Sequence, residues 1–477
     1  MNLDEPKVLL VKPYTKRYPW ELKRAGQPLS LLVIGTYLTK VLGIETEILD
    51  ATAINYDKEY ILPSGKIIYG LSPEKFKAKI AEKCPDILLF SCQFTCQYTS
   101  MVECAFITKD VCKDIIVGAG GIHVTICPEE VLMNDSIDFI FLGEETCLDN
   151  FFLALKGKKD FSELPAFGYK ANGDLKINRS KCYVKNLSQI PIYDPSFLDD
   201  SLYTSSMFHN GVSNHKFIDI TTERNCPYNC NFCSTGSIDT PYRKYSLTQL
   251  DDLFSNLKYS GYKQILNEDD NGFLLRDRAL KVIDLYDRYG FAWQQVSGFG
   301  PNQLDNNLID RLASSNCEKI YLAVESKKVE FRIKILNKPK SLSFYNNDDL
   351  FKTMEYLVKT GIKFDVGLII GHPSQTLEDI NDEIEFGKEI KNVGANFVIP
   401  SILTAFPGTP FWTILKNNIV GTYDDCNVMT GNLTCDNFSP KILRDIQQKA
   451  IENINDVSFE DNYLSKGWDS NSVSDKK

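Results

Sequence analysis

The sequence predicts an α/β protein of 477 residues in two parts: a Rossmann-like doubly wound parallel sheet, then a barrel-like set of strand–helix units. Three observations carry this. Short apolar runs of strand length alternate with helical segments through the first third. A stretch richer in Pro, Asn, Asp and Ser follows and reads as an ordered connector. From residue 216 the alternation resumes and runs through six further units.

Taken in order, residues 7–12 (Lys-Val-Leu-Leu-Val-Lys) are a short apolar run suited to a buried parallel strand. Residues 28–38 read as a helix, and 45–50 and 86–91 as the next two strands. A long helix to about residue 108 precedes strands at 114–118 and 138–142. Repeated βαβ units of this kind imply right-handed crossovers, with any ligand at the carboxyl ends of the strands. Those ends are glycine-rich or polar: Ser91-Cys-Gln93-Phe-Thr95, Gly118-Ala-Gly120-Gly121-Ile-His123-Val-Thr125 and Gly143-Glu144. Paired glycines let a backbone approach a bulky ligand, and small hydroxyl and amide side chains bond its polar rim. The Gly-x-Gly-x-x-Gly turn of a nicotinamide or flavin site is missing after the first strand, where Lys12-Pro-Tyr-Thr-Lys16 stands. In the second part, strands are expected at 216–222, 264–267, 293–297, 319–325, 363–370 and 396–400, and a further helix at 441–451.

Composition narrows the function classes. A net charge of −10 gives no electrostatic reason to expect nucleic acid or an anionic membrane as partner. No apolar run reaches transmembrane length, and Met1-Asn-Leu-Asp-Glu5 lacks the build of a signal peptide, so a cytoplasmic location is expected. The fourteen cysteines are scattered through apolar segments of a long chain, which suits buried thiols in a reducing compartment better than a disulfide scaffold.

Chemistry concentrates in one segment, Thr222-Glu-Arg-Asn-Cys226-Pro-Tyr-Asn-Cys230-Asn-Phe232-Cys233. Three closely spaced thiolates without a fourth suit three irons of a 4Fe–4S cluster, leaving the last iron open to a small molecule. A closed structural zinc site asks for a fourth ligand nearby. The Cys-x3-Cys-x2-Cys spacing, with Phe232 before the last cysteine, resembles the radical S-adenosylmethionine (SAM) enzymes. The first third resembles the cobalamin-binding domain found fused to them, through its Ser- and Thr-bearing third loop, Gly-Gly-x-His-x-Thr and Gly-Glu. Two departures stand out. Pro28-Leu-Ser lacks the glycine expected in the first helix, and Asn225 replaces the glycine more usual before the first cysteine. The Asp-x-His-x-x-Gly motif that supplies a cobalt ligand elsewhere is absent, so His123 is expected to border the corrin rather than bind its metal.

The resemblance implies a partial (β/α)6, TIM-type barrel for the six later units, with chemistry at the carboxyl ends of its strands. It implies SAM contacts from Phe232, Arg243, the Asp269-Asp270 pair, Ser297, Glu325 and Gly371, and cobalamin contacts from Ser91, Gln93, Thr95, Gly120, Gly121, His123, Thr125, Gly143 and Glu144. Arg243 corresponds to the basic residue that pairs with the SAM carboxylate, and Glu325 to the acceptor from ribose hydroxyls. The domains expected are 1–163 (cobalamin), 164–208 (linker), 209–415 (radical SAM barrel) and 416–477, a helical extension with a disordered end. The implied activity is cobalamin-dependent radical methylation of an unactivated carbon in a small-molecule, lipid or peptide substrate, fed by an electron donor of flavodoxin or ferredoxin type. Two alternatives stay open: a radical rearrangement, cyclisation or carbon–carbon coupling that does not use the corrin as methyl donor, and a non-catalytic iron–sulfur carrier. RNA methylthiolation would want a second cysteine triad, which is not evident.

Overall fold

The computed structural model describes residues 5–23, 25–203, 216–344 and 346–457, which form two compact units. In the first, a seven-stranded sheet has the order Asp174–Asn178, Phe167–Ala171, Phe139–Phe141, Ile116–Gly120, Ile87–Ser91, Val8–Lys12, Thr46–Asp50. The five parallel strands, numbered along the chain, run 2-1-3-4-5. Strand order therefore reverses between Val8–Lys12 and Ile87–Ser91, the place where doubly wound sheets take their ligands. Apolar side chains from both faces are buried, Leu10, Val11, Leu88 and Val117 completely, which is why these strands read as continuous apolar runs.

Two features of this unit differ from the sequence expectation. Within the stretch read as connector, Phe167–Ala171 and Asp174–Asn178 form a hairpin that adds two antiparallel strands to the sheet. Its turn is Asn172-Gly173, both with positive φ (53° and 84°), the geometry that matches strand twist in two-residue hairpins. A separate three-stranded sheet of Thr15–Arg17, Ile67–Tyr69 and Glu59–Ile61 was not foreseen.

The second unit is built on six parallel strands in chain order: Phe217–Ile220, Gln264–Asn267, Ala292–Phe299, Cys317–Glu325, Lys363–Ile370 and Phe397–Ile402. All six expected strands are present, the third and the sixth each extended by two residues at the end. The helices between them, apart from Arg276–Tyr289, start on side-chain caps. Ser246 accepts from Gln249 N–H at 3.1 Å, and Thr376 from Asp379 N–H at 3.1 Å.

An incomplete barrel leaves a sheet edge, and residues beyond 415 cover it. The helix Pro440–Asn455 lies on the last strand. Asn455 accepts from Val398 N–H at 2.8 Å and donates to Val398 O at 2.9 Å, while Gln447 donates to Pro400 O at 2.7 Å. Side-chain amides thus take the bonds a seventh strand would make. Glu21 joins this unit through Thr430, and Leu22 packs beside Phe397 and Met429. The end expected to be disordered, 458–477, lies outside the described residues, as do 204–208 of the expected linker. No helix among the described residues is long and apolar enough to cross a membrane.

Candidate functional site

The cysteine loop leaves the first barrel strand and is clamped at its base. Asp269, two residues beyond the second strand's end and 1% exposed, accepts from Thr222 N–H (2.6 Å), Thr222 hydroxyl (2.6 Å) and Glu223 N–H (3.1 Å). The loop's far side is tied to residues after the fourth strand. Asn231 donates to Leu336 O (2.9 Å) and Ile335 O (2.8 Å), and Asn337 donates to Asn229 O (2.8 Å). A third anchor comes from the turn after the sixth strand, where Ser237 donates to Gly408 O at 2.8 Å and Phe411 N–H donates to Asn231 O at 3.1 Å. Bonds from three separate strand ends thus fix the path of the chain through Cys226, Cys230 and Cys233.

The three thiols are partly exposed. Burial pushes Cys226 up to about 11 and Cys230 to about 12, so both are protonated at neutral pH until a metal takes their protons. Among the described residues no three Cys, His, Asp or Glu side chains converge on the position of a single metal ion. Three soft thiolate donors on one loop suit separate irons of a cluster. Asn225, immediately before the triplet, holds φ +67°, a left-handed conformation that Gly or Asn adopts most readily.

The residues expected to hold SAM fall into two groups. Asp270 is exposed and accepts from Thr235 at 3.2 Å, next to the cysteine loop. Ser297 is half-buried near the end of the third strand. Glu325, at the end of the fourth, has φ +71° and pairs with buried Lys338 at 2.8 Å. Gly371, after the fifth, has φ +90°, and a Cβ there would lie 2.6 Å from Leu443. These stand at carboxyl ends of neighbouring strands.

Asp269, by contrast, has both carboxylate oxygens taken up within the protein by Thr222 and Glu223. Phe232 packs into an apolar cluster with Phe331, Phe411 and Leu433, so its first contribution is to seat the loop. Arg243 is 7% exposed, pairs in a short strand with Arg224, and donates through Nε to Pro241 O at 3.0 Å. Behind the clamp lies a small cavity of mixed lining, with Thr222, Glu223, Asn267 and Arg278 against Phe273 and Val282. Burial, helped by the charge of Asp269, pushes Glu223 up to about 8, and Tyr242 donates to it at 2.5 Å. Lys338 and Glu223 were not singled out from sequence, because their roles depend on neighbours 13 or more residues away.

In the first unit the expected cofactor loops share the carboxyl edge of the sheet. Ser91, Gln93 and Thr125 are half-buried there, and Ser91 stands 3.2 Å from Ser30 Oγ. Gly120 has room for a Cβ, with its nearest neighbours at 3.7 Å. Gly121 does not: φ is +109°, and a Cβ would come within 2.5 Å of Cys92 O. Gly143 is similar, 2.4 Å from Cys147 Sγ and 2.5 Å from Cys182 O. These two glycines serve loop-to-loop packing, where the sequence suggested ligand approach.

His123 is 1% exposed, shares a hydrogen bond with Thr95 at 3.3 Å and packs on Tyr98. Burial lowers it to about 4, so it is neutral and lies beneath the rim. Glu144 accepts from Val184 N–H at 2.8 Å. Phe94, 62% exposed on the same edge, went unnoticed in the sequence, where an isolated Phe in a loop gives no periodic signal. The uncharged polar donors and the open Gly120 fit the amide-fringed periphery of a corrin.

Comparison with known proteins agrees with this division. The family model described as B12 binding domain matches residues 21–149, and that of the Radical SAM superfamily matches 220–387. An uncharacterized methyltransferase of Pyrococcus horikoshii, PH0819, is 27% identical over 370 residues, covering 75% of this chain and 76% of the relative. Cytidylyl-2-hydroxyethylphosphonate methyltransferase of Streptomyces wedmorensis is 22% identical, covering 83% and 79%. The solved radical SAM methyltransferase TsrM of Kitasatospora setae, with cobalamin and a 4Fe–4S cluster bound, superimposes with a TM-score of 0.65 at 18% identity, over 87% of this chain and 78% of its own. At that identity the likeness speaks for the fold.

Proposed function

This chain belongs to the radical SAM superfamily and carries a B12-binding domain, and from that premise we propose that it is a cobalamin-dependent radical SAM methyltransferase. The observation that carries the reading is the cysteine loop, three thiols on a backbone fixed from three strand ends. Cys226, Cys230 and Cys233 would hold a 4Fe–4S cluster, which would supply an electron for the reductive cleavage of SAM, and a cobalamin on the first unit would supply a transferable methyl group.

The protein's own work is positioning. Asp270 is the acceptor for the SAM ammonium, since Asp269 is occupied in clamping Thr222. Glu325, fixed by Lys338 and held at positive φ, presents its remaining oxygen to ribose hydroxyls. Ser297 lines the strand end between them, and Gly371 the strand end beyond Glu325. In the first unit, Ser91, Gln93, Thr125 and the open Gly120 border the corrin, with Phe94 as an apolar contact for it. The substrate class is a small molecule, lipid or peptide with an unactivated carbon, and the electron donor is a flavodoxin or ferredoxin.

The test is anaerobic reconstitution of the full chain with iron, sulfide and hydroxocobalamin, followed by desalting and incubation with methyl-labelled SAM. About four irons and one corrin per chain, with label on the corrin, support the proposal. A Cys230→Ala chain should form no 5′-deoxyadenosine. An intact cluster with no corrin retained would move the reading to a radical rearrangement or coupling that uses SAM alone.

A further inference from the structure

Glu325 sits at the centre of a three-residue turn. Ser326 N–H donates to Val324 O at 3.0 Å, and the φ of +71° between them belongs to the rare and strained form of the γ-turn. The pairing of the fourth strand with the fifth shifts register at the same place, between Ala323 and Glu325. Such a conformation persists only where the surroundings over-determine it. Here they do so from the buried side. Ser326 is fully buried, and its hydroxyl donates to Glu383, a carboxylate 1% exposed on the helix Leu377–Val393. The other oxygen of Glu383 accepts from Lys327 N–H at 2.7 Å. Arg332, also 1% exposed, donates to Ser326 O at 2.8 Å and to Phe344 O at 3.0 Å. Ser326 thus has its amide, hydroxyl and carbonyl all bonded. Burying a carboxylate and a guanidinium is costly, and both are directed at the two residues that follow Glu325.

We propose that Ser326, Glu383 and Arg332 form a buried splint that holds Glu325 in this turn and so sets the direction of its carboxylate for SAM, which rests on the reading of Glu325 as a SAM contact. Ser326, Glu383 and Arg332 are thereby positioning residues. In a regular strand successive side chains alternate across the sheet, and a positive φ redirects the side chain at which it occurs. Lys338 holds one oxygen of Glu325 at 2.8 Å, and the splint holds the backbone from which that side chain departs. With both ends fixed, the second oxygen is preorganised to receive a hydroxyl.

The experiment is a double-mutant cycle on SAM affinity, measured by anaerobic equilibrium dialysis of labelled SAM against the full chain reconstituted with iron and sulfide, with iron counted in each sample. Ser326→Ala alters no charge and removes the hydroxyl that Glu383 holds. At wild-type iron content it should weaken SAM binding about tenfold, the size of one hydrogen bond to a charged group. In a Glu325→Ala background there is no carboxylate left to direct, so the same substitution should change Kd by less than about twofold. Additive losses overturn the proposal, because Ser326 would then serve the fold and not Glu325. An unchanged Kd for Ser326→Ala in the wild-type background overturns it as well. Should Ser326→Ala take up no iron, Arg332→Lys goes through the same cycle, since it keeps the charge but replaces the two-pronged fork with a single ammonium. Failure of both variants to load iron would assign the splint to folding alone and overturn the proposal. A Glu325→Ala chain that binds SAM like the wild type would instead refute the reading of Glu325 as a SAM contact.

Discussion

Asp269 holds Thr222 with both carboxylate oxygens, one on its amide and one on its hydroxyl, each at 2.6 Å. The pair joins the ends of two neighbouring parallel strands at the point where the cysteine loop begins. Asp269→Asn would set an NH2 group against an N–H or an O–H. Each buried group left unpaired costs about 1–3 kcal/mol. The expected result is lower stability to denaturant and incomplete iron uptake, with SAM affinity unchanged in whatever fraction loads. Full iron content with weakened SAM binding would return Asp269 to the role of direct SAM ligand.

Asn225 explains a departure that sequence alone left open. Its φ of +67° is the conformation a glycine would supply at that position. Asn225→Gly should keep the loop's path and load iron as the wild type does. Asn225→Val forces a branched side chain into the left-handed region, at about 1–2 kcal/mol. Denaturation midpoints and iron per chain for the two variants separate the outcomes, and equal behaviour would mean the loop relaxes around the residue.

His372 makes the barrel unit sensitive to acid. It is buried between Phe331 and Phe411, and Ser374 N–H donates to its Nδ1 at 3.1 Å, so that nitrogen must keep its lone pair. Burial lowers it to about 4, below the 6.5 of an unfolded chain. Between those values the unfolded chain binds the extra proton, so stability is complete above pH 6.5 and falls as pH drops towards 4. The contribution lost at pH 5 is about 2 kcal/mol. His372→Asn, which keeps an acceptor near Nδ1, should lose less stability than wild type between pH 7 and pH 5 in denaturant titrations. Parallel pH profiles would show that His372 is not the sensor.

What was legible in the sequence was what is written locally. Strands buried on both faces announce themselves as apolar runs, so the five parallel strands of the first unit and the six of the second were readable within two residues or so. The Phe167–Asn178 hairpin was not, although Asn172-Gly173 is a strong turn signal. Its strands are only partly buried, and their composition blends into the polar connector around them. At the site, the thiols and the polar strand ends were readable from motif and order. The division between Asp269 and Asp270 was not, because it depends on Thr222, 47 residues earlier in the chain. Lys338 beside Glu325 escaped notice for the same reason: spacing does not report which strand ends become neighbours.

The adjacent glycines of the first unit separate folding from cofactor binding. A methyl at Gly121 would lie 2.5 Å from Cys92 O and 2.7 Å from its carbonyl carbon, on a backbone already at φ +109°. Backbone atoms there cannot swing aside, so Gly121→Ala should damage the unit whether or not a corrin is present. It is therefore a poor probe of the ligand. Gly120 has ordinary φ, and its Cβ would touch Phe141 at 3.7 Å, a normal packing distance. Gly120→Ala should leave the corrin-free stability within about 0.5 kcal/mol of wild type. If the corrin lies against this strand end, the added methyl, and more so Gly120→Val, would weaken hydroxocobalamin binding, with tenfold in Kd corresponding to about 1.4 kcal/mol. The measurement is an absorbance titration of the full chain alongside a thermal melt without cofactor. An unaltered melt with weakened binding would place the corrin on Gly120, and unaltered binding by Gly120→Val would remove that loop from the cobalamin site.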